Sequence, residues 1–364
     1  MERRRFLQTT LAVPVLVSVP SALRQAMAAA QSDGWRTFEI VTKVEITNPS
    51  GVSRTWVPLP YTASTDWHNP RGSQWTGNGQ MKVVRDAKYG AEMLYAEWKP
   101  GEKSPVVEVT SRFATRDREV DPSRPNPKAP KLSAAEVKFN TAATELIPTD
   151  GIVRETAQAL VKGAKTDVEK ARAIYEWIVD NTFRDPKVRG CGWGDIKSML
   201  ESKNFGGKCG DLNAMFVGLA RSVGLPARDV YGVRVAPSQL GYKSLGLGSP
   251  NASKGQHCRA EFFAQGIGWV PVDPADVRKV VLEEPPGNLA LGDPKVVAAR
   301  KRLFGGWEMN WLAYNTAHDV KLPHSSGPKI PYLMYTNGET GGKVLDQLDP
   351  DAFKYTIIAQ EIKA

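Results

Sequence analysis

The chain has 364 residues, of which 41% are hydrophobic and 24% charged, with a formal net charge of +9. That length buries a sizeable core and exceeds one ordinary domain, so two structural units are expected. The first 30 residues hold four Arg and one Glu, which leaves about +6 for the rest, and no dense Lys/Arg run with interleaved aromatics argues for nucleic-acid binding.

The chain opens on "MERRRFLQTTLAVPVLVSVPSALRQAMAAA". A basic start, a short apolar stretch from Thr10 to Leu23 and a small-residue end at Ala28-Ala29-Ala30 describe an export signal. Pro14 and Pro20 interrupt the apolar stretch, which falls short of the ~20 residues a spanning helix needs. Arg3-Arg4-Arg5-Phe6-Leu7 resembles the twin-arginine signal. Residues 1–30 are therefore read as a leader, and the product as periplasmic or secreted, with no stable membrane span after signal removal. Three cysteines make an odd number for an oxidising compartment, so at least one thiol stays free or pairs between chains.

From Trp35 to about Thr115 the pattern is strand-like. "TFEIVTKVEITN", "SRTWVPLP" and "VVEVTSRFAT" alternate or run apolar, with Gly, Asn, Pro and Asp between them. Residues 31–120 are expected to form a β-sandwich-like domain. "DPSRPNPKAP" then holds four prolines in ten residues, which excludes helix and central strand, so 121–132 is the expected linker.

Helical periodicity follows in "DGIVRETAQALVKGA" and "TDVEKARAIYEWIVDNTF", the second opening with a capping box of Thr166 and Glu169. After a short helix in "DIKSMLES" comes "FGGKCGDLNAMFVGLARSVG". Its Leu212, Met215, Phe216, Leu219 and Val223 share one helical face, and Gly224 and Pro226 end it. "ARDVYGVRVA", "HCRAEFFA" and "GWVPVD" then read as strands, as do "WEMNWLAYNTAHDV", "PYLMYT" and "FKYTIIAQEI" in the tail. Helices before strands make an α+β unit over 133–280. The extension 281–364 is expected to complete the fold, in the same sheet or against the N-terminal domain.

Cys209 falls in the first turn of its helix, behind Gly206-Gly207-Lys208. Free N–H groups and the helix dipole favour a thiolate there, and the Cys209 N–H can serve an oxyanion. A thiolate nucleophile needs a base, and the base an orienting group. Among only four histidines, His257 opens one strand, and Asp273 closes the next, so an antiparallel pair sets them side by side. The chemistry expected is Cys209 attacking, His257 shuttling the proton and Asp273 fixing the imidazole. For each residue a structural role competes: Cys209 as a buried hydrophobe, His257 as a core histidine, Asp273 as a turn cap.

These blocks carry a family resemblance. "ARAIYEWIVDNTF", "GCGWGD", "GGKCGDLNAMFVGLARSVGLPARDVYGVRV" and "QHCRAEFFAQGIGWVPVDPAD", in that order between about Thr149 and Lys279, resemble the transglutaminase-like superfamily of papain-related cysteine enzymes. The resemblance implies a papain-like core, a cysteine-bearing helix packed on an antiparallel sheet, with Cys209, His257 and Asp273 as the triad and an N-terminal β domain. The activity implied passes through a thioester on Cys209 and acts on a peptide, protein or cell-wall amide. Hydrolysis is favoured; a protein-crosslinking acyltransferase and a non-catalytic binding or assembly protein are the alternatives. Where relatives often carry an aromatic residue two positions after the histidine, this chain has Arg259. Trp193, Asn204, Gly207 and Arg259 are further candidates for oxyanion or substrate contacts.

Asp195 and Asp211 are expected to cap helices. Cys258, next to His257 in a strand, is expected in the core, and Cys191 to be free or paired with Cys258. His68, His318 and His324 are expected on surfaces or in loops. Cys191, Cys209, Cys258 and His257 lack zinc-site spacing, and no cofactor fingerprint appears, so neither metal nor cofactor is expected.

Overall fold

The computed structural model describes residues 34–126 and 128–362. The expected leader lies outside them. Among the described residues no helix is long and apolar enough to cross a membrane.

Six strands come first: β1 (Arg36–Glu45), β2 (Ser53–Pro58), β3 (His68–Gly77), β4 (Gln80–Arg85), β5 (Glu92–Trp98) and β6 (Val106–Thr115). Alternation in β1 turns Phe38, Ile40, Thr42 and Val44 inward, as a one-faced strand requires. β1, β3 and β6 share one antiparallel sheet, and β2, β4 and β5 share another. The proline-rich stretch after them forms turns and no helix or strand among its described residues.

Five helices follow: α1 (Ala134–Asn140), α2 (Gly151–Leu160), α3 (Asp167–Asn181), α4 (Ile196–Ser202) and α5 (Cys209–Ser222). The Thr166 hydroxyl accepts the Glu169 N–H, and the Glu169 carboxylate accepts the Thr166 N–H, so α3 starts on a complete capping box. In α5 every residue from Cys209 to Arg221 is buried. A helix enclosed on all sides is the centre of the unit, not a surface amphipathic helix.

The chain then lays down β7 (Ala227–Arg234), β8 (Gln256–Ala264) and β9 (Gly268–Val272), followed by α6 (Pro274–Glu283) and α7 (Pro294–Arg302). β10 (Trp311–Asn315), β11 (His318–Val320), β12 (Ile330–Tyr332), β13 (Asn337–Thr340), β14 (Lys343–Leu345) and β15 (Lys354–Ile362) complete it. The central antiparallel sheet runs β9-β8-β7-β10. The remaining tail returns to the first half of the chain: β15 pairs with β1 and β13 pairs with β2. The extension thus does both things the sequence left open, completing the central sheet and pairing with the N-terminal strands.

The fold is α+β in stacked layers. Leu212, Met215, Phe216 and Leu219 of α5 share a core with Cys258, Ala260 and Phe262 of β8. Val233 and Leu312 of the central sheet meet Phe38, Phe113 and Ile357 of the β15-β1-β6-β3 sheet. That sheet buries Val44 and Val107 against Val57 and Leu94 of the β14-β13-β2-β5-β4 sheet.

Two histidine expectations are corrected. His68 is fully buried on β3, with Nε2 against the Tyr61 carbonyl at 2.9 Å, and burial pushes its pKa down to about 4. His318 is buried on β11, 3.3 Å from Asp229. The apolar neighbours of these positions lie in other strands, so local sequence did not reveal them. His324 is an exposed turn residue.

Candidate active site

Cys209 is the first residue of α5. Gly206-Gly207 run parallel to Phe183-Arg184 just before it, and a side chain at Gly206 would meet the Phe183 ring at 2.5 Å. N–H groups in the first helical turn have no intrahelical acceptor, so they face whatever sits at the helix start. The following N–H, of Gly210, donates to the Cys191 carbonyl at 2.7 Å. Asp211 completes the support: its carboxylate accepts the N–H groups of Trp193, Gly194 and Lys208 at 3.0, 2.9 and 2.9 Å. The loop carrying Cys191 is thereby held to the start of α5. Asp195 caps α4 through the Ser198 N–H.

The β8–β9 pairing sets Val272 opposite Ala260, which carries the next residue, Asp273, back toward His257. His257 Nε2 lies 2.7 Å from Asp273 Oδ2. Asp273 Oδ1 accepts the Asp276 N–H at 3.0 Å and caps α6, and it accepts from Asn213 Nδ2 at 3.2 Å. One oxygen of Asp273 thus caps α6 and the other meets the imidazole. His257 Nδ1 is left for the thiol, and the imidazole favours the Cys209 thiolate.

A second carboxylate stands behind the pair. Asp276 Oδ2 is 3.4 Å from His257 Nε2, and Arg234 holds Asp276 in a buried ion pair at 2.6 Å. Burial works against a charged imidazole, but Asp276 and Asp273 overcome it and Arg234 only partly offsets them, so His257 is pushed up to about 10. The Cys209 thiol goes the other way. Hydrogen bonds from Cys191 and Cys258 favour its thiolate, burial opposes, and His257 adds to the fall well below the ordinary thiol range. Cys191 and Cys258 are raised, the first by its bond to Cys209, the second by burial. All three thiols are free and buried. The arrangement favours a thiolate–imidazolium pair, and the neutral Cys191 thiol donates to the Gln256 carbonyl at 3.4 Å.

Cys209 and His257 open on a cavity of about 460 Å³ whose apolar wall includes Leu247, Leu348, Phe353 and Tyr355. None of the four further candidates lines it. Trp193 is 69% exposed, on the rim of a smaller cleft beside Gly194 and Tyr332. Asn204 is exposed and accepts the Gly206 N–H. Gly207 is a close-packed position, where a side chain would meet Asp211 at 2.7 Å. Arg259 is a correction to the expected substrate contact: it is 1% exposed, donates to the Glu308 carbonyl at 2.9 Å and lies over the Trp311 ring. On β8 it shares the His257 face, and Nε stands 3.7 Å from Asp273. Its place is behind the His–Asp pair.

Asp276, Arg234 and Asn213 were not picked out from sequence. Asn213 stands one turn after Cys209, a spacing that could have marked it. Arg234 and Asp276 are far apart in sequence, and only the sheet joins them. His257, Asp273 and Asp276 also have the composition of a metal site, their ligand atoms lying within 4.8 Å. Arg234 and Arg259 already stand against those carboxylates, so the positive charge a cation would bring is supplied.

Comparison with known proteins agrees with this architecture. The family model described as the transglutaminase-like superfamily matches residues 154–274, which span Cys209, His257 and Asp273. A Haemophilus influenzae protein described as uncharacterized is 37% identical over 326 residues, covering 86% of this chain and 87% of its own. Among solved structures, "a Putative Cysteine Protease from Cytophaga hutchinsonii" superposes with a TM-score of 0.56 at 11% identity, over 90% of this chain and 91% of that one. That likeness is one of fold.

Proposed function

The chain belongs to the transglutaminase-like superfamily, and from that premise we propose that it is an exported cysteine enzyme that cleaves amide bonds in peptides or proteins through an acyl-enzyme on Cys209. The observation that carries the reading is His257, held by Asp273 at 2.7 Å and lining the same cavity as a thiol whose thiolate its surroundings favour. The Cys209 sulfur attacks the amide carbonyl carbon, and the carbonyl oxygen takes the negative charge beside the Cys209 N–H. His257 gives its proton to the departing nitrogen, the C–N bond breaks and a thioester remains. Water, deprotonated by His257, then attacks the thioester, and the acid leaves as the thiolate–imidazolium pair re-forms. An amine in place of water would give a new amide. Export rests on the leader read in residues 1–30.

The test is site-resolved alkylation of Cys209 by iodoacetamide across pH, in wild type and in His257→Ala. Fast labelling well below pH 8 that slows in the variant supports an activated pair. Slow labelling indifferent to His257 would sink the reading. Peptide turnover then separates the two fates: carboxylate product that persists with a peptidyl amine present means hydrolysis, a new peptide amide means transfer, and hydroxamate formed with hydroxylamine reports the shared thioester.

A further inference from the structure

The wall of the Cys209 cavity has an unbalanced chemistry. Six cations line it: Arg184, Arg189, Lys208, Arg234, Lys254 and Lys279. No carboxylate does. Behind the wall, Asp276 pairs with Arg234 at 2.6 Å and Asp346 with Arg189 at 2.6 Å, while Arg184 and Lys279 share Glu283. The half-buried Lys208 and the exposed Lys254 both line the cavity, and neither ammonium group has an ion-pair or hydrogen-bond partner among the described residues. Asp211, behind the thiol, already accepts three backbone N–H groups. Three cations therefore face the cavity without a carboxylate of their own: the two lysines and one of the pair on Glu283.

A neutral group adds to the imbalance. Gln256 lines the same cavity, and its Nε2 is buried with no acceptor. A buried donor left unpaired costs about 1–3 kcal/mol, so such groups usually mark a partner that arrives from outside. Cations in a concave, partly apolar wall also focus a positive potential on the space they enclose.

We infer that the cavity binds a peptide acyl donor bearing a carboxylate near the amide that Cys209 attacks, held by Lys208 and Lys254 with Gln256 donating to a further substrate oxygen. This rests on the acyl-enzyme reading above. A neutral or basic peptide satisfies Gln256 through a carbonyl oxygen but leaves Lys208 and the exposed Lys254 to solvent alone. The apolar half of the cavity, at Leu247, Leu348 and Phe353, takes an uncharged part of the same donor.

The test compares two reagents of like size at Cys209, anionic iodoacetate and neutral iodoacetamide, in wild type and in the double variant Lys208→Met/Lys254→Met. The ratio of the two rates removes any change in thiolate content that the substitutions cause. The expected result is an iodoacetate-to-iodoacetamide ratio that falls at least fivefold in the variant and also falls in wild type at 0.5 M salt. In the second arm, acetyl-Ala-Glu-Ala-amide protects Cys209 at a concentration at least fivefold lower than its glutamine counterpart does. Rapid iodoacetamide labelling with an unchanged ratio, or equal protection by the two peptides, overturns the inference and leaves the acyl-enzyme reading standing. If neither reagent labels Cys209 below pH 8, both readings fall. Equal protection by inorganic phosphate would mean a small-anion site and would overturn the peptide assignment.

Discussion

Replacing Asp276 by Asn tests the electrostatics of the site at one atom pair. Asp276 Oδ2 stands 3.4 Å from His257 Nε2, and both side chains are buried. At an effective dielectric constant near 20, a charge pair at that distance is worth ~5 kcal/mol. The net rise of His257 from 6.5 to about 10 corresponds to ~5 kcal/mol as well, because burial and Arg234 oppose what Asp276 and Asp273 supply. Asparagine keeps the shape and the N–H that Asp273 accepts, removes the charge, and leaves Arg234 facing the imidazole unshielded. The His257 midpoint should therefore drop by at least about one unit, or ~1.4 kcal/mol. The assay is carbon-13 NMR of imidazole-labelled protein, in which four histidines give four signals. The signal absent from the His257→Ala spectrum assigns the His257 midpoint, expected near 10. A group whose folded pKa is raised stabilises the fold fully below its unfolded value, near 6.5, and loses that contribution as pH rises through about 10. Wild type should thus lose stability across that window more steeply than the variant. A wild-type midpoint near 6.5, or one that Asp276→Asn leaves in place, would refute the argument.

Other perturbations have definite outcomes. Gly192→Ala introduces a side chain at φ +88°, 1.8 Å from Asp211 Oδ2, and should cost at least ~2 kcal/mol in chemical denaturation; a change under ~0.5 kcal/mol would show that the loop is not held as described. Asn213→Ala removes the donor shared by the Cys258 carbonyl and Asp273 Oδ1, both buried, and should lower stability by about 1–3 kcal/mol in the same assay. Thiol titration of unreduced, denatured protein should find three free thiols, since Cys191, Cys209 and Cys258 are unpaired; a count of one would mean that two had joined.

Much of this was legible where a residue's role is local. The capping box at Thr166, the cysteine at the start of α5, and the strand-like blocks around His257 and Asp273 each carry their signal within a few residues. Three helices were missed: the short α1, and α6 and α7, which both begin on Asp-Pro, with Asp273 and Asp293 as caps and proline in the first turn. What local pattern cannot reveal is which distant side chains meet. Arg234 on β7 and Asp276 in the first turn of α6 meet only through the tertiary fold, and Arg259 faces inward because Trp307 and Trp311 cover that side of the sheet.

The β layers belong to the reading of the site for a physical reason. The core unit supplies the thiol, the imidazole and the carboxylates, but Leu348, Phe353 and Tyr355, which wall the cavity, come from the segment entering β15. That segment is a run of turns, with Phe353 N–H donating to the Asp349 carbonyl at 2.9 Å. It is held because β15 pairs with β1 along nearly its whole length and because Phe353 is buried in the core between the two N-terminal sheets. The ring of Phe353 sits where any side chain at Gly338 would be, 2.6 Å from that position, so β13 too is fitted around it. The same segment contributes Asp346, which holds Arg189 at the cavity. The cavity's apolar wall is therefore set by pairing and packing at the far side of the molecule, and substrate fit depends on the β layers even though none of the reacting groups resides there.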